Sequence, residues 1–309
     1  MKVLVILASY NGEKYIKEQI ESILVQEKID VDIKIFDDVS KDDTIRVIEF
    51  LCNDKRVQLI KNILATGSAA GNFFSAIKFL EDNILKQYDF VAFSDQDDIW
   101  LSNKLYAATE MLQKEHTSLY VSNLILWKEK TGAKSIINKS YPQKKYDYLF
   151  EGGSAGCTYV FTNEFCIDLK RTIEKVDYSH WKFFSHDWFV YFFARINDYG
   201  VSIDSNAYIL YRIHDDNVHG QLNTNSFFAI KERLRLVKEG WYFEHIKGFL
   251  QLVPQDSPER LIYNLYSKNY FSRLFVLMRY NFSLMRSSKK FIPFFIISLL
   301  PARIKKQYV

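Results

Sequence analysis

The 309 residues suit one large domain, or a domain with an appendage, and 48% hydrophobic and 16% aromatic content supplies a sizeable core. Only five prolines and 11 glycines are present, which excludes extended low-complexity linkers. Net charge is +4, yet residues 221–309 hold 15 Lys/Arg against five Asp/Glu, leaving 26 basic and 32 acidic residues in 1–220. That asymmetry predicts an acidic working domain, 1–220, followed by a basic, helical docking region, 221–309. The basic tail carries no recognised nucleic-acid reader motif, so no nucleic-acid partner is expected.

Val3–Ala8 is an unbroken apolar run, too short for a signal peptide and without a cleavage site; it predicts a first strand in a cytosol-facing protein. Cys52, Cys157 and Cys166 are odd in number and lack metal-ligand spacing, as expected of buried thiols in a reducing compartment. From Glu13 to Gln26, Tyr15, Ile16, Ile20, Ile23 and Leu24 recur at helical spacing. A second strand is expected at Val31–Phe36, a helix at Thr44–Leu51, a third strand at Val57–Ile60, a helix over 71–85 and a fourth strand at Phe90–Ser94. This alternation predicts an α/β fold with a mostly parallel open sheet, whose ligands gather beyond the carboxyl ends of the strands.

Two of those ends are acidic. The second strand closes on Asp37-Asp38, and the fourth on Asp95-Gln96-Asp97-Asp98. Crowded carboxylates repel unless protons or a cation join them, and Mg²⁺ or Mn²⁺ can share its coordination between carboxylates and substrate phosphates. The bland alternative is a solvated acidic turn. Beyond residue 119, strands are expected at Tyr120–Trp127, Thr158–Phe161 and Tyr208–Tyr211, with 128–145 as a connection and Gly152–Gly156 as a flexible loop. Asp187 precedes the apolar stretch Trp188–Phe193 and suits a helix N-cap.

Helices are expected near 226–239, 260–265 and 269–286. Within 289–303 an apolar run, interrupted by Pro293 and flanked by Lys and Arg, is about half of what a membrane-spanning helix needs. It suits an interfacial segment on an anionic leaflet, each basic residue adding about 1 kcal/mol, or else a core-packing terminal helix.

The order of the motifs Ala8-Ser9-Tyr10-Asn11-Gly12, Asp37-Asp38, Asp95-Gln96-Asp97-Asp98, Gly156-Cys157-Thr158, His186-Asp187-Trp188 and Tyr211-Arg212-Ile213-His214 is specific. With them the chain resembles the family 2 glycosyltransferases of GT-A fold, in particular rhamnosyltransferase-like enzymes of bacterial surface-polysaccharide assembly. Where that family carries Gly after the first Asp pair, this chain carries Val39.

The resemblance implies a metal-dependent inverting transferase. Its donor would be a dTDP- or UDP-sugar, possible donors including dTDP-rhamnose, and its acceptor a saccharide, lipid-linked at the inner face of the cytoplasmic membrane. Asp97 is then the direct ligand of Mn²⁺ or Mg²⁺, with Asp95 on the ribose or metal-bound water and His214 as a third ligand. Asp38, beside Asp37, takes the N3–H of a uracil or thymine, Ser9 and Tyr10 line the base pocket, and Arg212 meets the diphosphate. Asp187 is the general base, and His186, Trp188 and Gly156 contact the acceptor. Two rivals remain open: an Asp-nucleophile phosphotransferase using Asp95, and a scaffold that binds sugar nucleotides without turnover.

Overall fold

The computed structural model describes residues 1–213 and 227–301. It divides into two compact units. Met1–Ser140, Gly153–Lys175 and His186–His214 form the first, and Tyr141–Gly152, Val176–Ser185 and Asp215–Val309 the second. The second unit thus takes in two segments that a single cut near residue 220 leaves in the first.

The first unit begins as the apolar runs dictate. Strands β1 (Lys2–Ser9), β2 (Asp30–Asp37), β3 (Val57–Lys61) and β4 (Phe90–Ser94) pair in parallel, in the order β3-β2-β1-β4. Ser9 pairs with Asp37 and Leu7 with Ser94, so the acidic segments after β2 and β4 leave the same edge of the sheet. Between the strands lie α1 (Ile16–Leu24), α2 (Thr44–Leu51), α3 (Ala69–Phe79) and α4 (Asp82–Leu85). Ile16, Ile20 and Ile23 of α1 meet Val3, Val5, Leu7, Ile33 and Ile35 in the core.

The helix expected over 71–85 is two helices. Leu80 turns to extended backbone, and Lys170 Nζ bonds both its carbonyl oxygen (2.7 Å) and the Asp82 carboxylate (3.1 Å). The apolar periodicity runs through this break because Leu85 is buried as well.

Beyond β4 the sheet becomes mixed. It continues through β8 (Val160–Thr162), β6 (Leu119–Lys128), β9 (Val201–Ile213) and β5 (Ile99–Trp100), with β7 (Ala133–Ile137) antiparallel on β6. Strand β7 sits in the stretch expected as a connection; its residues are almost all exposed, so no hydrophobic alternation marks it. Helices α5 (Lys104–Glu115), α6 (Asn163–Ile173) and α7 (His186–Ile196) complete the unit.

The second unit is helical: α8 (Phe227–Lys238), α9 (Trp241–Phe249), α10 (Pro258–Lys268), α11 (Tyr270–Tyr280) and α12 (Ser288–Ser298). Ser257 caps α10, its side chain accepting from Arg260 N–H, with Pro258 at the first helical position. The core is aromatic: the Phe150 ring lies 5.0 Å from Tyr266 and 5.1 Å from Phe294. The helix expected over 269–286 stops at Tyr280, because Asn281 takes φ 32° and ψ −121°. No helix among the described residues is long and apolar enough to cross a membrane.

Candidate active site

Side chains from β1, β2, β4 and the loops after them build the site. Asp37 is fully buried and accepts from Ser9 Oγ (3.1 Å) and from Ser40 N–H (2.9 Å). Ser9 and Asp37 therefore brace the strand ends beneath the pocket. Asp38 accepts four bonds, from Asn62 Nδ2, Thr66 N–H, Thr66 Oγ1 and Gly67 N–H, at 2.7–3.2 Å. Those donors all belong to the loop between β3 and α3. Val39, in the turn that follows, holds φ 66°, the left-handed conformation for which glycine is the natural residue.

Tyr10 is 49% exposed, so its ring is not part of the core. Its backbone is gripped by Gln96: Tyr10 N–H donates to Gln96 Oε1 (2.8 Å), and Gln96 Nε2 donates to the Tyr10 carbonyl (2.9 Å). The middle residue of Asp95-Gln96-Asp97 is thus the strut between the loops after β1 and β4. Sequence reasoning missed it, because a glutamine between two aspartates carries no periodic signal.

The acidic loop is electrostatically loaded. Burial first, then the charges of Asp97 and Asp187, push the Asp95 carboxyl up to about 7. Burial, Asp97 and Asp95 raise Asp98 well above the usual carboxylate range. Asp98 is buried, and its Oδ2 has no hydrogen-bond partner among the described residues. Ligand atoms of Asp95, Asp98 and Cys157 lie within 4.8 Å of one another. Cys157, its thiol pushed up mainly by burial, stays protonated and is a poor ligand for a hard ion. Oxygen donors raised by mutual repulsion, one with an unpartnered buried oxygen, fit a hard divalent cation. Of the expected ligands, Asp95 stands in this group and Asp97 does not; Asp98, the next residue along the loop, takes that place. His214 lies outside the described residues.

Arg212 is placed differently from the expectation that it meets a diphosphate. It is 1% exposed, its two terminal nitrogens are engaged by the carboxylates of Glu18 and Glu129, and its Nε donates to the Asp97 carbonyl oxygen (2.9 Å). The guanidinium carbon lies 4.5 Å from the Tyr15 ring centroid and 4.6 Å from that of Trp127. Its donors are spent on holding the loop.

Asp187 lies in the first turn of α7, not at the N-cap, since the helix begins at His186. Its Oδ1 accepts from Trp188 N–H (2.8 Å), and a carboxylate at this end is favoured by the helix dipole. The Tyr159 hydroxyl joins this turn to the glycine loop: it accepts from Ser154 N–H (3.1 Å) and lies 3.1 Å from the Asp187 carbonyl oxygen. The His186 ring packs on Phe73 (4.6 Å) and Phe93 (5.9 Å), and a side chain at Gly156 would collide with it. Trp188 is 5% exposed, so its ring is not the open stacking face expected for an acceptor sugar.

The end of β4 and the first turn of α7 thus lie near each other, close enough for the Asp187 charge to act on Asp95. The family model described as Glycosyl transferase family 2 matches residues 4–194. The dTDP-rhamnosyl transferase RfbG of Shigella flexneri is 34% identical over 277 residues, 89% of this chain and 92% of that protein. The Escherichia coli enzyme WfgD, a UDP-Glc:α-D-GlcNAc-diphosphoundecaprenol β-1,3-glucosyltransferase, is 34% identical over 58% of this chain and 68% of its own length. The crystal structure of S. aureus TarS 1–349 in complex with UDP superposes with a TM-score of 0.57 at 17% identity, covering 97% of this chain and 89% of that one. The fold is that of the GT-A glycosyltransferases, and the chain belongs to glycosyl transferase family 2.

Proposed function

We propose that this glycosyltransferase moves a sugar, with inversion, from a nucleoside-diphosphate donor to a lipid-linked saccharide at the inner face of the cytoplasmic membrane, during surface-polysaccharide assembly. The observation that most supports the mechanism is the nearness of Asp187, in the first turn of α7, to Asp95 at the end of β4, whose carboxyl it helps to raise. Near-full coverage of a dTDP-rhamnosyl transferase favours dTDP-rhamnose as donor, with UDP-hexoses as the second choice. A relative named for a diphosphoundecaprenol acceptor supports the lipid-linked acceptor.

The roles follow from placement. Tyr10 lines the base pocket and Asp38 meets the base N3–H as the 62–67 loop gives up part of its grip, while Ser9 and Asp37 brace the floor. Asp97 and Asp95, with His214, would hold Mn²⁺ or Mg²⁺. When bound, the cation offsets the charge that grows on the leaving diphosphate. Asp187 takes the proton of the acceptor hydroxyl as that oxygen bonds to the anomeric carbon and the bond to the diphosphate breaks. His186 and Gly156 shape the acceptor side, and Arg212 keeps the Asp97 backbone in register.

The test is release of nucleoside diphosphate from UDP-, dTDP- and GDP-sugars with Mn²⁺, Mg²⁺ or EDTA. Wild type should release from one donor in a metal-dependent way. Asp97→Ala should abolish this, and Asp187→Asn should lower kcat by about 10²–10⁴-fold. Turnover of no donor under any condition would remove the transferase reading's specifics, and full activity in Asp187→Asn would remove the base.

A further inference from the structure

Among the described residues, the second unit leaves one face of α11 largely exposed. Phe271, Phe275 and Met278 recur at intervals of four and three, which sets them on one stripe of α11, and Phe282 follows in the turn beyond the break at Asn281. Their exposures are 79%, 55%, 65% and 48%. The opposite face is anchored. Val276 and Leu277 are buried, and Arg273 Nε donates to the Tyr266 carbonyl (2.9 Å) while its Nη1 reaches that of Ser298 (3.1 Å). Phe282 packs ring to ring with Phe291 of α12 (4.9 Å), and α12 adds exposed Ile292 and Ile296.

Burying the opposite side of α11 leaves Phe271, Phe275 and Met278 at the surface, a stripe of a kind that soluble monomers seldom expose, and Phe282 in the turn adds to it. Charge identifies what covers it. Residues 260–309 contain ten Lys/Arg and no Asp/Glu, and Lys268, Arg279 and Lys289 are exposed on or beside these helices. An apolar stripe in a wholly basic segment complements a surface that is anionic outside and hydrocarbon within.

We infer that α11, with the turn carrying Phe282, docks this chain on an anionic phospholipid bilayer by inserting Phe271, Phe275, Met278 and Phe282 below the headgroups. The sequence points instead to 289–303 as the interfacial element. In the structure Phe291, Phe294 and Ser298 of that stretch are turned into the helical core, so α12 supports the docking face and α11 carries it. The inference concerns attachment and stands apart from the sugar-transfer chemistry.

The test uses the full chain, without sugar nucleotide, sedimented with vesicles of phosphatidylglycerol and phosphatidylcholine or of phosphatidylcholine alone. Wild type should bind the anionic vesicles and not the neutral ones. The triple variant Phe271→Ser/Phe275→Ser/Met278→Ser should bind at least about tenfold more weakly with unchanged nucleotide binding. Should that variant fold poorly, Phe271→Trp serves instead: brominated anionic lipid should quench its added fluorescence. No binding by wild type, no quenching at position 271, or a triple variant that binds as wild type does would overturn the inference. So would loss of binding only on removal of 302–309, or a wild-type dimer that the triple variant converts to monomer. Because the readout is vesicle binding, failure here leaves the nucleoside-diphosphate assay unaffected, and the reverse also holds.

Discussion

Arg212 Nε donates a 2.9 Å hydrogen bond to the carbonyl oxygen of Asp97, which ties the last strand of the sheet to the backbone of the acidic loop. The guanidinium sits between the rings of Tyr15 and Trp127 while Glu18 and Glu129 take its remaining nitrogens. Its planar fork serves three acceptors at once, which a lysine ammonium on a flexible stem does not reproduce. Arg212→Lys should keep the charge and lose the geometry. We expect a loss of about 1–3 kcal/mol in stability, below the cost of breaking a fully buried pair because both glutamates reach solvent. We also expect a severalfold rise in the divalent-ion concentration needed for half-maximal nucleoside diphosphate release. Thermal melting and a metal titration read the two effects separately. An unchanged metal requirement would restrict Arg212 to a stabilising role.

Val39 holds φ 66° in the turn after Asp37-Asp38. A β-branched residue there is strained by roughly 1–2 kcal/mol, because its Cβ crowds the backbone. The turn nevertheless has the hand that glycine would give, with Ser40 N–H bonded to Asp37 Oδ1 at 2.9 Å. Val39→Gly should relieve that strain at some entropic cost, for a net gain of about 0.5–1 kcal/mol. Denaturant unfolding measures it; a destabilised variant would show that the exposed valine contributes packing that outweighs the strain.

A methyl group on Gly156 would overlap the His186 ring, which Phe73 and Phe93 hold from their side. Gly156→Ala should therefore displace His186 and the first turn of α7 that carries Asp187. The expected signature is a kcat loss of at least about tenfold with donor affinity nearly retained, since the shift falls on the acceptor side. Measuring donor binding beside turnover checks it, and equal losses in both would point to general unfolding of the loop.

These cases mark how far local pattern reaches. Helix α2 and strand β4 begin and end where the sequence pattern sets them, α2 behind acidic residues and β4 as an apolar run bounded by Asp89 and Asp95. The acidic strand ends were legible for the same reason. Arg212 was misplaced because its partners Glu18 and Glu129 stand 194 and 83 positions away, and nothing nearby announces them. Strand β7 was missed because an exposed edge strand needs no apolar face, and Gln96 because its work is done by an amide on a distant backbone. Burial of Trp188 likewise depends on what packs over α7, which helical spacing alone does not say.

Lys104 opens α5 and is buried with its amine 3.4 Å from the Trp100 ring centroid and without a hydrogen-bond partner. Burial lowers it to about 7 from 10.5, although its neighbours Cys157 and Asp98 pull the other way. In the unfolded chain this lysine keeps its proton to about 10.5, so between these values the unfolded state binds more protons and stability rises with pH. Below about 7 both states are protonated, and the cost of burying the ammonium is present in full. Lys104→Met, of similar volume, removes that cost. The variant should be more stable at pH 6 by about 1–4 kcal/mol, an advantage that shrinks as pH climbs toward 10. Urea unfolding across that range, with EDTA present to keep cations off the neighbouring aspartates, reads the difference directly. A variant less stable than wild type at pH 6 would mean that the contact of the ammonium with the Trp100 ring outweighs the cost of burying it.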